Sequence, residues 1–313
     1  MKALDVVDAY LASRRALGVR LERTGRLLHQ FVREIGNAPL ADVGPETVDR
    51  FLRGRALSSS WTSRYHALAG LYRFAGTRGY VATSPLPTDR PKLPPQQSPY
   101  IYSTEEVQRL LDATAVLYSR RSTLRATTYR TLLLLLYGTG MRVSEALGLQ
   151  LGDVDLRQRI VTVRNTKFYK TRLVPVGPRP REELAAHVDR RCSLPVPASE
   201  ASAFLSSRKG ARLFYEDLSA MFQRVRRAAG IACPAGELRP PRLHDLRHTA
   251  AVHRVEAWYR DGKDVQRLLP QLATYLGHVS IGSTQRYLQM TPQLLQQASR
   301  RFAIYAQQEV DHD

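Results

Sequence analysis

Six prolines fall in the sixteen residues "SPLPTDRPKLPPQQSP", from Ser84 to Pro99. Proline fixes φ and has no amide hydrogen to give to a helix or a sheet, so this stretch favours an extended connection. Such a connection cuts the 313 residues into two folding problems, in line with a length prior of about 150 residues per domain. The expected organisation is a helical module over residues 1–84, a linker over 85–99 and a larger domain over 100–313.

The first module reads as about four helices. "LDVVDAYLASRRAL" and "TGRLLHQFVREIG" carry apolar residues at helical spacing, and Gly36 marks a stop. "PETVDRFLRG" is a shorter helix opened by Pro45 and closed by Gly54. "WTSRYHALAGLYRFAGTRG" sets Leu68, Leu71, Tyr72 and Ala75 along one side. Past the prolines, Ser103 and Glu106 make a capping box at "STEEVQRLLDAT". "TYRTLLLLLYGTG" is a buried helix with a Gly-rich exit, since the run Leu132–Leu136 is far too short to cross a bilayer. "RIVTVR" and "RLVPVG" read as two strands, joined by a hairpin "NTKFYKT" that carries Lys167 and Lys170. Pro270 is expected to interrupt a helix. "TPQLLQQASRRFAIYAQQEVDHD" reads as a C-terminal amphipathic helix, with Leu294, Leu295, Ala298 and Phe302 on one side.

Charge speaks to partners. Lys and Arg number 47 against 28 Asp and Glu, a formal +19. That excess points to a polyanion, nucleic acid first. Only Lys2, Lys92, Lys167, Lys170, Lys209 and Lys263 are lysines, which leaves few candidates for a catalytic ammonium. Cys192 and Cys233, the only cysteines, make neither a disulfide framework nor a zinc site and suit a reducing cytosol. "MKALDVVDAYLASRRALG" has no signal-peptide apolar core. A cytoplasmic protein with no membrane partner is expected.

Three fragments carry chemistry. In "TGMRVSEALGL", Arg142 precedes a helix start, where free amides and the helix dipole already favour an anion, and Glu145 is placed to orient the guanidinium. In "PPRLHDLRHTAAVHRV", a helix puts His244 and Arg247 on one face. His248 is one turn from His244, but no zincin Glu and no third ligand accompany the pair, so no metal is expected and His248 reads as a packed supporting residue. In "LATYLGHVSIGSTQRYLQM", Tyr287 follows His278 by nine residues. A lone tyrosine could be core filler, a hydrogen-bond handle or a nucleophile. Taken together, Arg142, Lys167, His244, Arg247, His278 and Tyr287 suit phosphoryl transfer without a metal. Two guanidiniums offset charge on the non-bridging oxygens, and a phenol attacks. An imidazole takes or donates a proton, and an ammonium protonates the departing alkoxide.

These boxes, in this order over residues 100–290, resemble the tyrosine recombinases of the phage-integrase family. The resemblance implies a mainly α fold with a small antiparallel β hairpin or sheet. It also implies a two-domain DNA clamp, with a helical core-binding domain ahead of an α+β catalytic domain. It makes Arg142 and Arg247 the phosphate clamp, His244 and His278 the hydrogen-bond and proton-transfer partners, and Tyr287 the nucleophile that forms a 3′-phosphotyrosine link, with no cofactor. Glu145 matches the acidic position behind the first Arg. Lys167 takes the general-acid position and Lys170 a DNA contact, although the glycines usual around that Lys are missing and the choice between the two stays open. Arg172, Arg64 and Arg73 are further DNA contacts by the same resemblance. A homotetramer on two duplex sites, with a dimer on each, is the implied assembly, nucleoid-associated through its DNA. The long segment between "HTAA" and "LGH" is similar to recombinases of transposons and integrative elements. A catalytically silent DNA-binding protein and a type IB topoisomerase are the alternatives.

Overall fold

The computed structural model describes residues 1–19, 21–54, 60–93, 98–119, 123–164, 171–196, 198–237, 239–278, 282–285 and 287. The chain divides into two compact units, Met1–Gln97 and Ser98–Asp313.

The first unit packs four helices, α1 (Ala3–Ala16), α2 (Glu22–Glu34), α3 (Pro45–Arg53) and α4 (Ser60–Thr77). Each turns an apolar stripe to one core: Val6, Val7 and Leu11 from α1, Leu28 and Phe31 from α2, Val48, Phe51 and Leu52 from α3, Leu68, Leu71 and Ala75 from α4. The spacing of three and four residues within each set is what a helix needs to present one face. Phe31 and Phe51 meet at 5.0 Å between ring centroids, tilted by 59°, a geometry that aromatic quadrupoles favour.

The second unit begins with α5 (Thr104–Ala113). Ser103 caps it by accepting from the Glu106 amide, while Glu106 accepts from the Ser103 amide. α6 (Thr123–Thr139) runs through the core on Leu132, Leu133, Leu135 and Leu136. α7 (Val143–Gly148) follows, then β1 (Val154–Asp155), β2 (Ile160–Val163) and β3 (Arg172–Pro175), which form one antiparallel sheet in the order β1-β2-β3. Two strands were expected; β1 escapes a periodicity reading because two residues show no alternation. The segment 165–170 between β2 and β3, with Lys167 and Lys170, lies outside the described residues. So does the stretch from 288 onward, where the C-terminal amphipathic helix is expected.

α8 (Pro178–Cys192), α9 (Tyr215–Ala228), α10 (Asp245–Arg260), α11 (Val265–Leu276) and the single turn α12 (Gly282–Gln285) complete the unit. Tyr102 pins α10 from the start of the unit: its amide donates to Thr249 Oγ1 at 3.1 Å and its hydroxyl to the Arg242 carbonyl at 3.1 Å. Pro270 does not interrupt α11 but lies inside it. The missing amide removes one bond, to the carbonyl four residues back. The same helix buries Val265, Leu269, Leu272, Ala273 and Leu276, and a buried Val or Leu contributes about 1.5–3 kcal/mol, which outweighs that loss. Among the described residues no helix is long and apolar enough to cross a membrane.

Phe31 is fully buried beneath α3. Phe31→Ala should destabilise the first unit by about 3–5 kcal/mol, measured as an earlier urea transition in the fluorescence of Trp61, which is buried in the same core.

Candidate active site

The first arginine owes its pose to a carboxylate one turn ahead. Arg142 precedes α7 in extended conformation, and Glu145 Oε2 accepts its backbone amide at 2.8 Å. Glu145 Oε1 accepts the Arg142 Nη1 donor at 2.8 Å, and Arg142 Nη2 donates to the Gly277 carbonyl at 3.1 Å. Glu145 is shared. Arg172 Nη1 donates to Oε1 at 2.9 Å and Nη2 to Oε2 at 2.7 Å, while its Nε donates to the Tyr275 carbonyl at 3.2 Å. Burial pushes the Glu145 carboxyl up, but hydrogen bonds from Arg172 and the Arg142 amide, with the Arg172 charge, hold it down at about 2.

The second arginine is 3% exposed. Arg247 is the third residue of α10. Its Nη1 donates to the Gly140 carbonyl at 2.6 Å and its Nη2 to the Leu276 carbonyl at 2.8 Å. Burial, then the nearby Arg142 charge, lower it to about 10, so it stays a cation at neutral pH. Gly140 and Gly277, the source of the carbonyl on Arg142, have φ of 61° and 68°. L side chains rarely adopt that left-handed region. A Cβ at 140 would meet Leu276 Cδ2 at 2.6 Å, and one at 277 would meet Arg172 Nη1 at 3.0 Å.

Three imidazoles and the phenol complete the cluster. His244 sits at the start of α10, next to Asp245, whose carboxylate takes the Arg242 amide at 2.8 Å and the Arg242 Nη2 at 2.9 Å. The His248 ring stands perpendicular to that of His244 at 5.1 Å and lies 5.7 Å from the Tyr287 ring. Its Nδ1 is buried with no hydrogen-bond partner among the described residues. His278 follows Gly277, shares a 2.8 Å hydrogen bond through Nδ1 with Thr284 Oγ1, and stacks at 6.0 Å and 27° on Tyr287. Burial lowers all three. Arg247 adds to this at His244, and the His244 and Arg247 charges at His248, which falls to about 3. The charges of Arg247, Arg142 and Arg172 add to it at His278, which falls to about 4. His248 and His278 are therefore neutral at pH 7 in the free protein, and His244 is pushed in the same direction. Tyr287 is 2% exposed and packs with Val252, Val255 and Leu276. A phenolate there would act on Arg247 electrostatically.

The fold thus gathers Arg142, His244, Arg247, His278 and Tyr287, with Glu145 and His248 against them. The candidate lysines fall outside the described residues. Arg172, expected among DNA contacts, is turned inward at 12% exposure. In the first unit, Arg64 donates to the Leu52 carbonyl at 3.4 Å and lies 5.6 Å over the Phe51 ring, while Arg73 is exposed on α4. Sequence reasoning missed the roles of Gly140, Gly277 and Thr284. The glycines had a signal, since each ends a helix just ahead of a charged box. Thr284 had none.

Comparison with known proteins sets this geometry among relatives. Residues 102–293 match the Phage integrase family. The protein y4rB of Sinorhizobium fredii, named as a putative integrase/recombinase, is 37% identical over 308 residues, covering 95% of this chain and 96% of that one. Tyrosine recombinase XerD of Mycobacterium tuberculosis is 33% identical over 284 residues, covering 87% and 86%. A lambda integrase tetramer bound to a Holliday junction shares the fold with a TM-score of 0.67 at 18% identity, over 92% of this chain and 77% of that one.

The Glu145 carboxyl sits below its ordinary 4.5 in the folded chain. Its stabilisation is complete above that value and is lost as pH falls towards 2. Between pH 5 and pH 3 the native protein should lose about 2 kcal/mol more stability than Glu145→Gln, read by urea titration at each pH.

Proposed function

The chain belongs to the phage integrase family and is a site-specific tyrosine recombinase, and from that premise we propose how its residues divide the work. Tyr287 attacks a DNA backbone phosphate, its Oη bonding to phosphorus as the 5′ oxygen leaves. The product is a 3′-phosphotyrosine link and a free 5′-hydroxyl. The covalent link conserves the phosphodiester energy, so a 5′-hydroxyl from a partner strand can attack it and reseal the backbone.

Arg142 and Arg247 hold the non-bridging oxygens as negative charge grows on them. Both are held by backbone carbonyls before substrate arrives, so little reorganisation is left for the reaction. His278 is neutral in the free protein and burial pushes His244 the same way, and a neutral imidazole can accept the phenol proton or donate a hydrogen bond to a phosphate oxygen. Lys167 is the general acid for the leaving 5′ oxygen, with Lys170 the alternative. Glu145 and His248 support, the first through Arg142 and the second beneath the Tyr287 ring.

Residues 1–84 are proposed as the core-binding domain, 85–99 as linker and 100–313 as the catalytic domain. Arg64, Arg73 and Lys170 are the proposed backbone contacts, which set register without reading sequence. The partner is duplex DNA, and the active assembly a homotetramer on two sites with a dimer on each. The long segment between "HTAA" (His248–Ala251) and "LGH" (Leu276–His278) favours service to a mobile element.

The observation that carries this reading is the stacking of Tyr287 on His278, beside two buried or half-buried guanidiniums. A duplex selected by binding from a randomised pool, nicked at successive positions, should trap a protein–DNA adduct with the native chain and none with Tyr287→Phe. Arg247→Ala should slow adduct formation by about 10²–10³-fold. Relaxation of supercoiled plasmid with no joining of two sites would instead mark a topoisomerase.

A further inference from the structure

Three separate segments meet at Arg172. Glu145 belongs to α7 and also holds the Arg142 amide and Nη1. Tyr275 belongs to the last turn of α11, next to Leu276, whose carbonyl holds Arg247, and to Gly277, whose carbonyl holds Arg142. Arg172 itself opens β3 and pairs with Val163, next to the 165–170 segment that contains both candidate lysines. Its Nε, Nη1 and Nη2 each donate to a protein acceptor, at 3.2, 2.9 and 2.7 Å. Three of its five N–H donors are thus taken by protein acceptors, and the side chain is 12% exposed against a carboxylate that is 6% exposed. Drawing the guanidinium out to a DNA backbone would break that buried ion pair, which is strongly unfavourable.

We propose that Arg172 is a positioning residue of the cleavage reaction, which fixes Glu145 and the Tyr275–Gly277 turn and thereby sets Arg142 and His278 against Tyr287. This rests on the roles given above to Arg142, His278 and Tyr287. Two physical arguments carry it. The first is geometric: only a planar fork gives two parallel bonds to one carboxylate and a third to a carbonyl, so lysine cannot replace it. The second is electrostatic. Two guanidiniums share one carboxylate, so the trio keeps a net positive charge facing the phosphate. Without Arg172, Glu145 would neutralise Arg142 and draw it away from the oxygens it must hold.

The test measures DNA affinity as a function of salt, and single-turnover adduct formation at saturating nicked duplex. It uses the native chain, Arg172→Lys, Arg172→Gln, Glu145→Gln and the Arg172→Gln/Glu145→Gln double variant, each corrected for its folded fraction by urea titration. Arg172→Lys should bind DNA within about twofold of the native chain with the same salt slope, yet form adduct about 10²-fold more slowly, the penalty of a misplaced reacting group. The double variant should be no slower than the slower single one, because the two residues act as a unit. The inference is overturned if Arg172→Lys weakens binding, lowers the salt slope by about one phosphate and recovers the native rate at saturation, which is the behaviour of a backbone contact. Equal adduct rates per folded molecule overturn it in favour of a purely structural role. Adduct formed by Tyr287→Phe sinks the active-site reading itself, a failure distinct from native rates in Arg172→Lys beside an inert Tyr287→Phe.

Discussion

One carboxylate organises the centre of the larger unit. In a chain of net charge +19, two guanidiniums brought together repel each other, and burial removes the water that would screen them. Glu145 answers this by accepting from Arg142 and Arg172 at once. Its own burial is tolerable because those donors hold it ionised. The pairing ties the short helix α7 to strand β3, and through the third donor of Arg172 to the end of α11.

The remaining charge is handled by backbone. Arg247 is held by the carbonyls of Gly140 and Leu276. A carbonyl orients a guanidinium without cancelling its charge, which a phosphate-binding group requires. Two helix ends supply these oxygens, where the last carbonyls of a helix have no partner within it and carry the negative end of its dipole. The left-handed glycines at 140 and 277 turn the chain sharply enough to aim them. The clustered cations in turn help to keep His278 and His248 neutral. The phenol therefore lies beside bases that the surrounding arginines and burial have kept unprotonated.

Much of this was legible in the residue order, and the exceptions have physical reasons. The capping box at Ser103, the stripes of α1 to α4 and the paired strands β2 and β3 are local patterns, so periodicity and cap chemistry reported them. Pro270 misled because a breaker is weighed against local propensity alone, while burial of the apolar face of α11 stabilises the helix by more than the proline costs. The partner of Arg172 was hidden for a related reason. The resemblance makes it a DNA contact, and nothing within a few positions of it betrays a carboxylate 27 residues earlier in sequence.

By itself, then, the amino-acid order determined the candidate reacting groups, the helical framework and the proline-rich connection, because these depend on side-chain chemistry and near-neighbour geometry. Only the tertiary structure decided which arginines share the Glu145 carboxylate and which one is held by carbonyls alone. It also decided which carbonyls hold them and which imidazoles stay neutral. Those properties arise from proximity and loss of water between segments far apart in the chain, and no local pattern encodes either.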